Sequence, residues 1–257
     1  MKQTSQEQLG HLLEALGVVA GDCLVVHAFV PSLGVVEGGL DGVIAAIKRR
    51  LGESGTIVVP TFTSSYRRGE NYDVRESKSF NGAISEHVRR LPGAVRSLCP
   101  LFSMAALGPE AEALMHRPTA ACFGPGSVYE NLFVRNAKFM SLGVHWDQGL
   151  SFFMHLERLA GIPSRRDELF VGTTRLIDGR LTQDRAIHFV RIEAPPWRRD
   201  RGRLGRSLVA RGVVREVIED GCAHRLFESA SLAEATLAAL TRDPWCMTDR
   251  AIDAVPA

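Results

Sequence analysis

The 257-residue sequence predicts an α/β protein. Two observations carry that expectation. Short apolar runs at residues 23–26, 55–62 and 138–143 alternate with stretches whose apolar residues recur at helical spacing. The 45% hydrophobic content is that of a globular protein with a sizeable core, and no break in composition divides the chain.

The bulk properties then narrow the class of function. No apolar run approaches the roughly 20 residues that span a bilayer, so no membrane partner is expected. The opening MKQTSQEQLGHLLEALG lacks the apolar core and cleavage site of a signal peptide, which predicts a cytoplasmic protein. A formal charge of +2 leaves no polybasic tail. The basic clusters at Arg165–Arg166 and in residues 198–206 read as a solvated face, or as arginines for a phosphorylated ligand, and no nucleic-acid partner is expected. Five widely spaced cysteines show no metal-ligand spacing, so no metal is expected and the thiols should stay reduced.

Taken in order, Leu9, Leu12, Leu13 and Leu16 form one face of a first helix. A strand at 23–26, a glycine-containing loop at 27–39 and a helix at 40–51 follow. That arrangement offers backbone N–H groups and a helix dipole to an anion. Residues 55–62 form a second buried strand that stops at Pro60, and the polar residues 63–78 read as a long loop over a site. A helix at 82–90 ends at Leu91-Pro92-Gly93, because proline disfavours helical geometry before it and glycine accepts the turn. Arg96 and Ser97 then fall in a loop, free to meet a ligand. A strand at 102–107, a short helix at 109–116, a turn-rich loop at 120–128, a strand at 138–143 and a helix at 150–159 continue the alternation. Strands at 169–174 and 187–192 flank the turn residues Asp178-Gly179. A late hairpin turns at Asp220-Gly221, and a last helix at 229–241 has Ser229 as its N-cap.

The run NGAISEHVRRLPGAVRSLCPLFSMAALG, residues 81–108, resembles the signature of the aminoglycoside 3-N-acetyltransferase family, G-x-(I/L)-x-E-x-x-R…P-G-A-x-R-S-x-H-P…S…G. Gly82, Ile84, Glu86, Arg89, Pro92, Gly93, Ala94, Arg96, Ser97, Pro100, Ser103 and Gly108 match in order, and Cys99 replaces the histidine. The glycine loop is similar to the family's coenzyme A loop through His27, Leu33, Gly34, Val36, Gly38 and Gly39, with Ala28 and Phe29 where hydroxyl residues are usual. Phe123, Gly124 and Ser127 match a further F-G-x-x-S segment.

The resemblance implies a single acyltransferase-like domain over residues 1–257, three-layered, with a central mixed sheet flanked by helices. It implies acetyl-CoA or another acyl-CoA as co-substrate, and an N-acyl transfer to an amine of a small molecule: an amino sugar, an aminoglycoside-like compound or a biosynthetic intermediate. A homodimer is left open. Cofactor contacts are expected at His27, Ala28, Phe29, Gly34, Val36, Gly38, Arg96, Ser97 and Ser103. The family carries T-x-x-H-x-x-E on the helix at 150–159, with the histidine as general base. Anchoring on Glu157 places Ser151 at the threonine and Met154 at the histidine, with His155 one residue late. One residue turns a side chain by about 100° on a helix. Either the helix start is shifted so that His155 serves with Glu157, or the base is absent. Cys99 is an alternative catalytic residue, as an acyl-accepting nucleophile beside Arg96. A catalytically degenerate coenzyme A-binding homologue is the remaining alternative.

Overall fold

Strand and helix alternate along the chain, as the two periodicities require. The computed structural model describes residues 2–116, 119–192 and 197–250. It begins with β1 (Gln3–Thr4), α1 (Gln6–Leu16), β2 (Cys23–Ala28), β3 (Val35–Val36) and α2 (Gly39–Leu51). Next come β4 (Thr56–Pro60), β5 (Tyr72–Asp73), α3 (Ala83–Val88), β6 (Val95–Arg96), β7 (Met104–Leu107) and α4 (Ala111–Met115). α5 (Val128–Val134), β8 (Lys138–Leu142) and α6 (Phe152–Ala160) lead to a long hairpin, β9 (Arg165–Arg175) and β10 (Leu181–Arg191). α7 (Gly202–Ala210), β11 (Arg215–Glu219), β12 (Cys222–Glu228) and α8 (Ser229–Arg242) follow.

The main sheet has seven strands in the order β11-β12-β8-β2-β4-β7-β6. Its centre, β8-β2-β4, is parallel, while β12 and β7 join it antiparallel, so the sheet is mixed. Successive side chains of a strand point to opposite faces, and here both faces are covered. Leu24 and Val26 pack into one cluster with α1, α2 and α3, whereas Val25 joins the other with α4 to α8. The expected three-layer architecture is the one observed. Leu9, Leu12, Leu13 and Leu16 are all buried on α1, each contributing about 1.5–3 kcal/mol. Ser5 and Gln8 close a capping box at its start.

From β2 the chain passes through α2 to β4 on one side, and the later β8 lies on the other. Such a reversal of strand order opens a crevice outside the carboxyl ends of the parallel strands, here Ala28, Pro60 and Leu142. Among the described residues, no helix is long and apolar enough to cross a membrane.

Four local expectations need correction. Arg96 lies in a two-residue edge strand rather than a loop, paired with Ala105 of β7. The strand expected from residue 102 begins at Met104, because Phe102 turns aside to stack edge-on against Phe62 and Phe123. The 63–78 segment is not featureless. It forms a 3-10 turn at Ser64–Arg68 and then β5, which extends the β9–β10 hairpin into a three-stranded sheet. Glu228, not Ser229, occupies the cap position of α8.

Candidate functional site

The crevice above β8-β2-β4 is built first by His27, the penultimate residue of β2. Strand alternation turns its ring to the α6 side of the sheet, where it stacks on Phe139 at 6.4 Å. Its Nε2 lies 3.0 Å from Ser151 Oγ at the start of α6, and Tyr129 of α5 donates to the same hydroxyl at 2.7 Å. Ser151 has one proton to give. With the tyrosine hydrogen bond accepted, Ser151 Oγ either gives that proton to His27 Nε2 or accepts from it, according to the imidazole tautomer. Burial lowers the His27 pKa to about 4, so the ring is neutral at ordinary pH. Gly149, with φ +70°, lets the β8–α6 loop pass close, since a Cβ there would meet Val144 at 3.0 Å and His27 at 3.8 Å.

Beyond His27 runs the glycine loop. Ala28 is half-buried, and Phe29 is 57% exposed. A 3-10 turn, Val30–Leu33, leads through Gly34 to β3. Gly38 sits at the N-cap of α2 with φ 74° and supplies no side-chain cap, so the helix start presents its backbone N–H groups. The loop is held from outside by β1: Gln3 and Thr4 pair with Val35 and Val36, and Thr4 Oγ1 donates to Leu33 O at 2.6 Å.

Helix α6 settles the question of register. It is regular from Phe152 to Ala160, with Ser151 facing His27 and no bulge. His155 consequently turns into the core between Tyr129, Phe133 and Phe152. Its Nδ1 accepts from Gly124 N–H at 3.1 Å, and burial lowers its pKa to about 4. A neutral imidazole has one lone pair, and Gly124 already holds it. His155 is therefore not placed as a base toward the crevice, against the expectation. Met154, half-buried, holds the position three residues after Ser151.

Glu157 is likewise committed elsewhere. Its carboxylate pairs with Arg165 Nε at 2.8 Å and Arg201 Nη2 at 3.3 Å, all three side chains being nearly inaccessible. It ties α6 to the start of β9 and to α7. Arg165 and Arg201 come from the basic clusters read as a solvated face, and both are buried.

The other expected ligand contacts also fold inward. Arg96 donates through Nε to Thr61 Oγ1, through Nη1 to the carbonyl of Ser77 at 2.6 Å and through Nη2 to the carbonyl of Thr61 at 2.7 Å. Its guanidinium also lies over the Tyr72 ring. Ser103 Oγ donates to Thr61 O, and Ser97 Oγ accepts from Met104 N–H. Arg96, Ser103 and the Ser97 carbonyl, which accepts from Tyr72 Oη at 2.7 Å, pin the 61–79 segment to the sheet edge. Cys99 is buried with its sulfur 3.8 Å from Cys122, and Arg96 spends its donors on Thr61 and Ser77, not on the thiol. That geometry removes the activating cation from the acyl-cysteine alternative. Of the other expected contacts, His27 and Ala28 end β2, Phe29 precedes the 3-10 turn that Gly34 closes, and Val36 and Gly38 lead into α2.

Sequence reasoning missed Tyr129 and Cys122. Tyr129 stands two residues beyond the matched F-G-x-x-S segment, which ends at Ser127, and that proximity was the available signal. Cys122 had none, since its partner is 23 residues away.

A layered α/β/α scaffold with a glycine loop and a helix start at the carboxyl ends of its parallel strands defines a ligand-binding class of fold. Within that class, the chain belongs to the aminoglycoside 3-N-acetyltransferase family, whose model matches residues 25–241. It is 34% identical over 182 residues to aminoglycoside N(3)-acetyltransferase VII of Streptomyces paromomycinus, and 30% identical over 181 residues to the type III enzyme of a Salmonella species. Each match covers 63% of this chain and 63% of the relative's length. The fold superposes on the crystal structure of aminoglycoside acetyltransferase AAC(3)-Xa with TM-score 0.81 and 27% identity, covering 93% of both chains. It also superposes on AAC-IIIb in binary complex with CoASH, with TM-score 0.82 and 24% identity, covering 94% of this chain and 97% of that one.

Proposed function

We propose that this chain is an acyl-CoA-dependent N-acyltransferase, moving an acetyl or related acyl group onto an amine of a small amino sugar of the aminoglycoside type. One observation carries the reading: the Tyr129–Ser151–His27 chain joins α5, α6 and β2 where the glycine loop begins. Family membership supports it, as do relatives of the same fold solved with a gentamicin and with apramycin at 26% identity. Coenzyme A phosphates would meet the N–H groups at the start of α2, with the 28–38 loop along the pantetheine. His27, Ala28, Phe29, Gly34, Val36 and Gly38 are the proposed contacts.

In the reaction the amine nitrogen attacks the thioester carbonyl, the C–S bond breaks, and the amine loses a proton as the coenzyme A thiol leaves. A positioned base is worth about 10²–10⁴-fold, and Met154 supplies none. The rate then rests on holding two reactants together, and on an amine acidic enough to be neutral at working pH. Thiol release from acetyl-CoA in the presence of gentamicin, apramycin or simpler amino sugars tests this. Amine-dependent release with a matching acylated product is expected, whereas release at the hydrolytic background with every amine would overturn the reading.

The same methionine favours a second reading, a coenzyme A-binding homologue without turnover. Calorimetry separates the two. Coenzyme A binding without thiol release belongs to the second, and absence of binding defeats both.

A further inference from the structure

Behind α6, away from His27, lies a second polar cluster. Arg165, Arg191, Trp197 and Arg199 line a narrow crevice beside Glu157, and Arg201 reaches the same carboxylate. The space left between these side chains is small. Four guanidinium groups thus surround one glutamate.

Among the described residues, Trp197 Nε1 in the crevice and Arg201 Nε beside Glu157 are buried N–H donors with no acceptor. Trp197 is 5% and Arg201 2% exposed, so water outside does not satisfy them. An orphaned buried donor is destabilising, more so when it belongs to a charged group. The neighbours cannot absorb the charge. Arg165 is already bound to Glu157 and to Phe189 O, Arg199 to the backbone carbonyl of Asp147, and Arg191 lies over the Trp197 ring at 4.9 Å. Crowding among like charges adds to the burial that lowers the Arg199 pKa to about 10.

We propose that this crevice binds one small monovalent anion of the halide class, accepting from Trp197 Nε1 and sharing the field of the four arginines. A monatomic anion there offsets the positive charge of the arginines and satisfies the indole N–H. Because Glu157 in the same cluster anchors α6, occupancy would be felt as stability of that helix and not as a step in acyl transfer.

Bromide is the probe. Crystals soaked in sodium bromide should show an anomalous peak within hydrogen-bond distance of Trp197 Nε1. In solution, chloride or bromide should raise the melting temperature by about 2–4 °C over gluconate at equal ionic strength, and the rise should saturate. Trp197→Phe and Arg199→Gln should each lose that salt-specific increment. No anomalous peak, or equal melting in chloride and gluconate for the unaltered protein, would mean that the position holds water and would overturn the proposal.

Discussion

Met154 and His155 differ by one position, and that step decides what α6 can do. Met154→His puts an imidazole three residues after Ser151 and three before Glu157, the spacing of the family pattern. We expect kcat/KM for acyl transfer to rise by roughly 10²-fold, read by coenzyme A thiol release. His155→Ala should leave kcat/KM within a few-fold while destabilising the fold by about 2–4 kcal/mol, since it removes a ring from an aromatic nest and the acceptor of Gly124 N–H. A large loss of turnover in a fully folded His155→Ala enzyme would refute that placement. The anchor itself was legible, because Ser151 and Glu157 are six residues apart on a helix whose period is known. What the sequence concealed was the partner of each: His27 lies 124 residues from Ser151, and Arg201 lies 44 from Glu157.

At the level of elements, two junctions carry the site. Glu157 couples α6 to β9 and α7 through Arg165 and Arg201. Glu157→Gln leaves two buried guanidinium groups short of their counter-charge and should cost about 3–5 kcal/mol in urea unfolding. Arg96 does the same for the 61–79 segment. Arg96→Ala should lower the melting temperature and expose residues 64–80 to limited proteolysis, because the carbonyl of Ser77 loses its donor and that of Thr61 loses one of its donors, keeping Ser103 Oγ. An unchanged cleavage pattern would return Arg96 to the ligand side. Long periodic elements such as α1, α2 and β4 were readable because packing on one face imprints the sequence. A two-residue strand such as β6 has no period to read, and the proline-glycine turn before it signals a loop equally well. The length of the β9–β10 hairpin was underread for a related reason. Its outer ends carry Arg165, Arg166, Asp167 and Arg191 where an isolated strand would be expected to stop.

For the whole molecule, the buried imidazoles set the response to acid. His27 and His155 have pKa values of about 4, and His188 of about 3, all lowered chiefly by burial. The unfolded chain takes up these protons near pH 6.5 while the folded protein does not, so stability is full above that pH and falls as pH drops toward 4. Each of the first two accounts for roughly 3 kcal/mol over that range. Urea unfolding measured between pH 7.5 and 4.5 should show this decline, and His155→Phe should flatten it by about one proton. A pH-independent midpoint would mean that these rings are hydrated in solution. The layered architecture was legible through the resemblance that residues 81–108 carry, and its physical basis is that β2 and β4 pack on both faces while the helices between them pack on one.

The pairing of β1 with β3 has a practical corollary for anyone handling the protein. Lys2 O accepts from Val35 N–H, Thr4 O accepts from Glu37 N–H, and a Cβ on Gly34 would collide with Lys2 O at 2.5 Å. The first residues therefore act as a clasp on the glycine loop. Removal of residues 2–4 would unfasten it. Amide exchange at Val35 and Glu37 would then quicken while the central sheet stayed protected. Coenzyme A affinity measured on such a preparation would report the truncation as much as the protein.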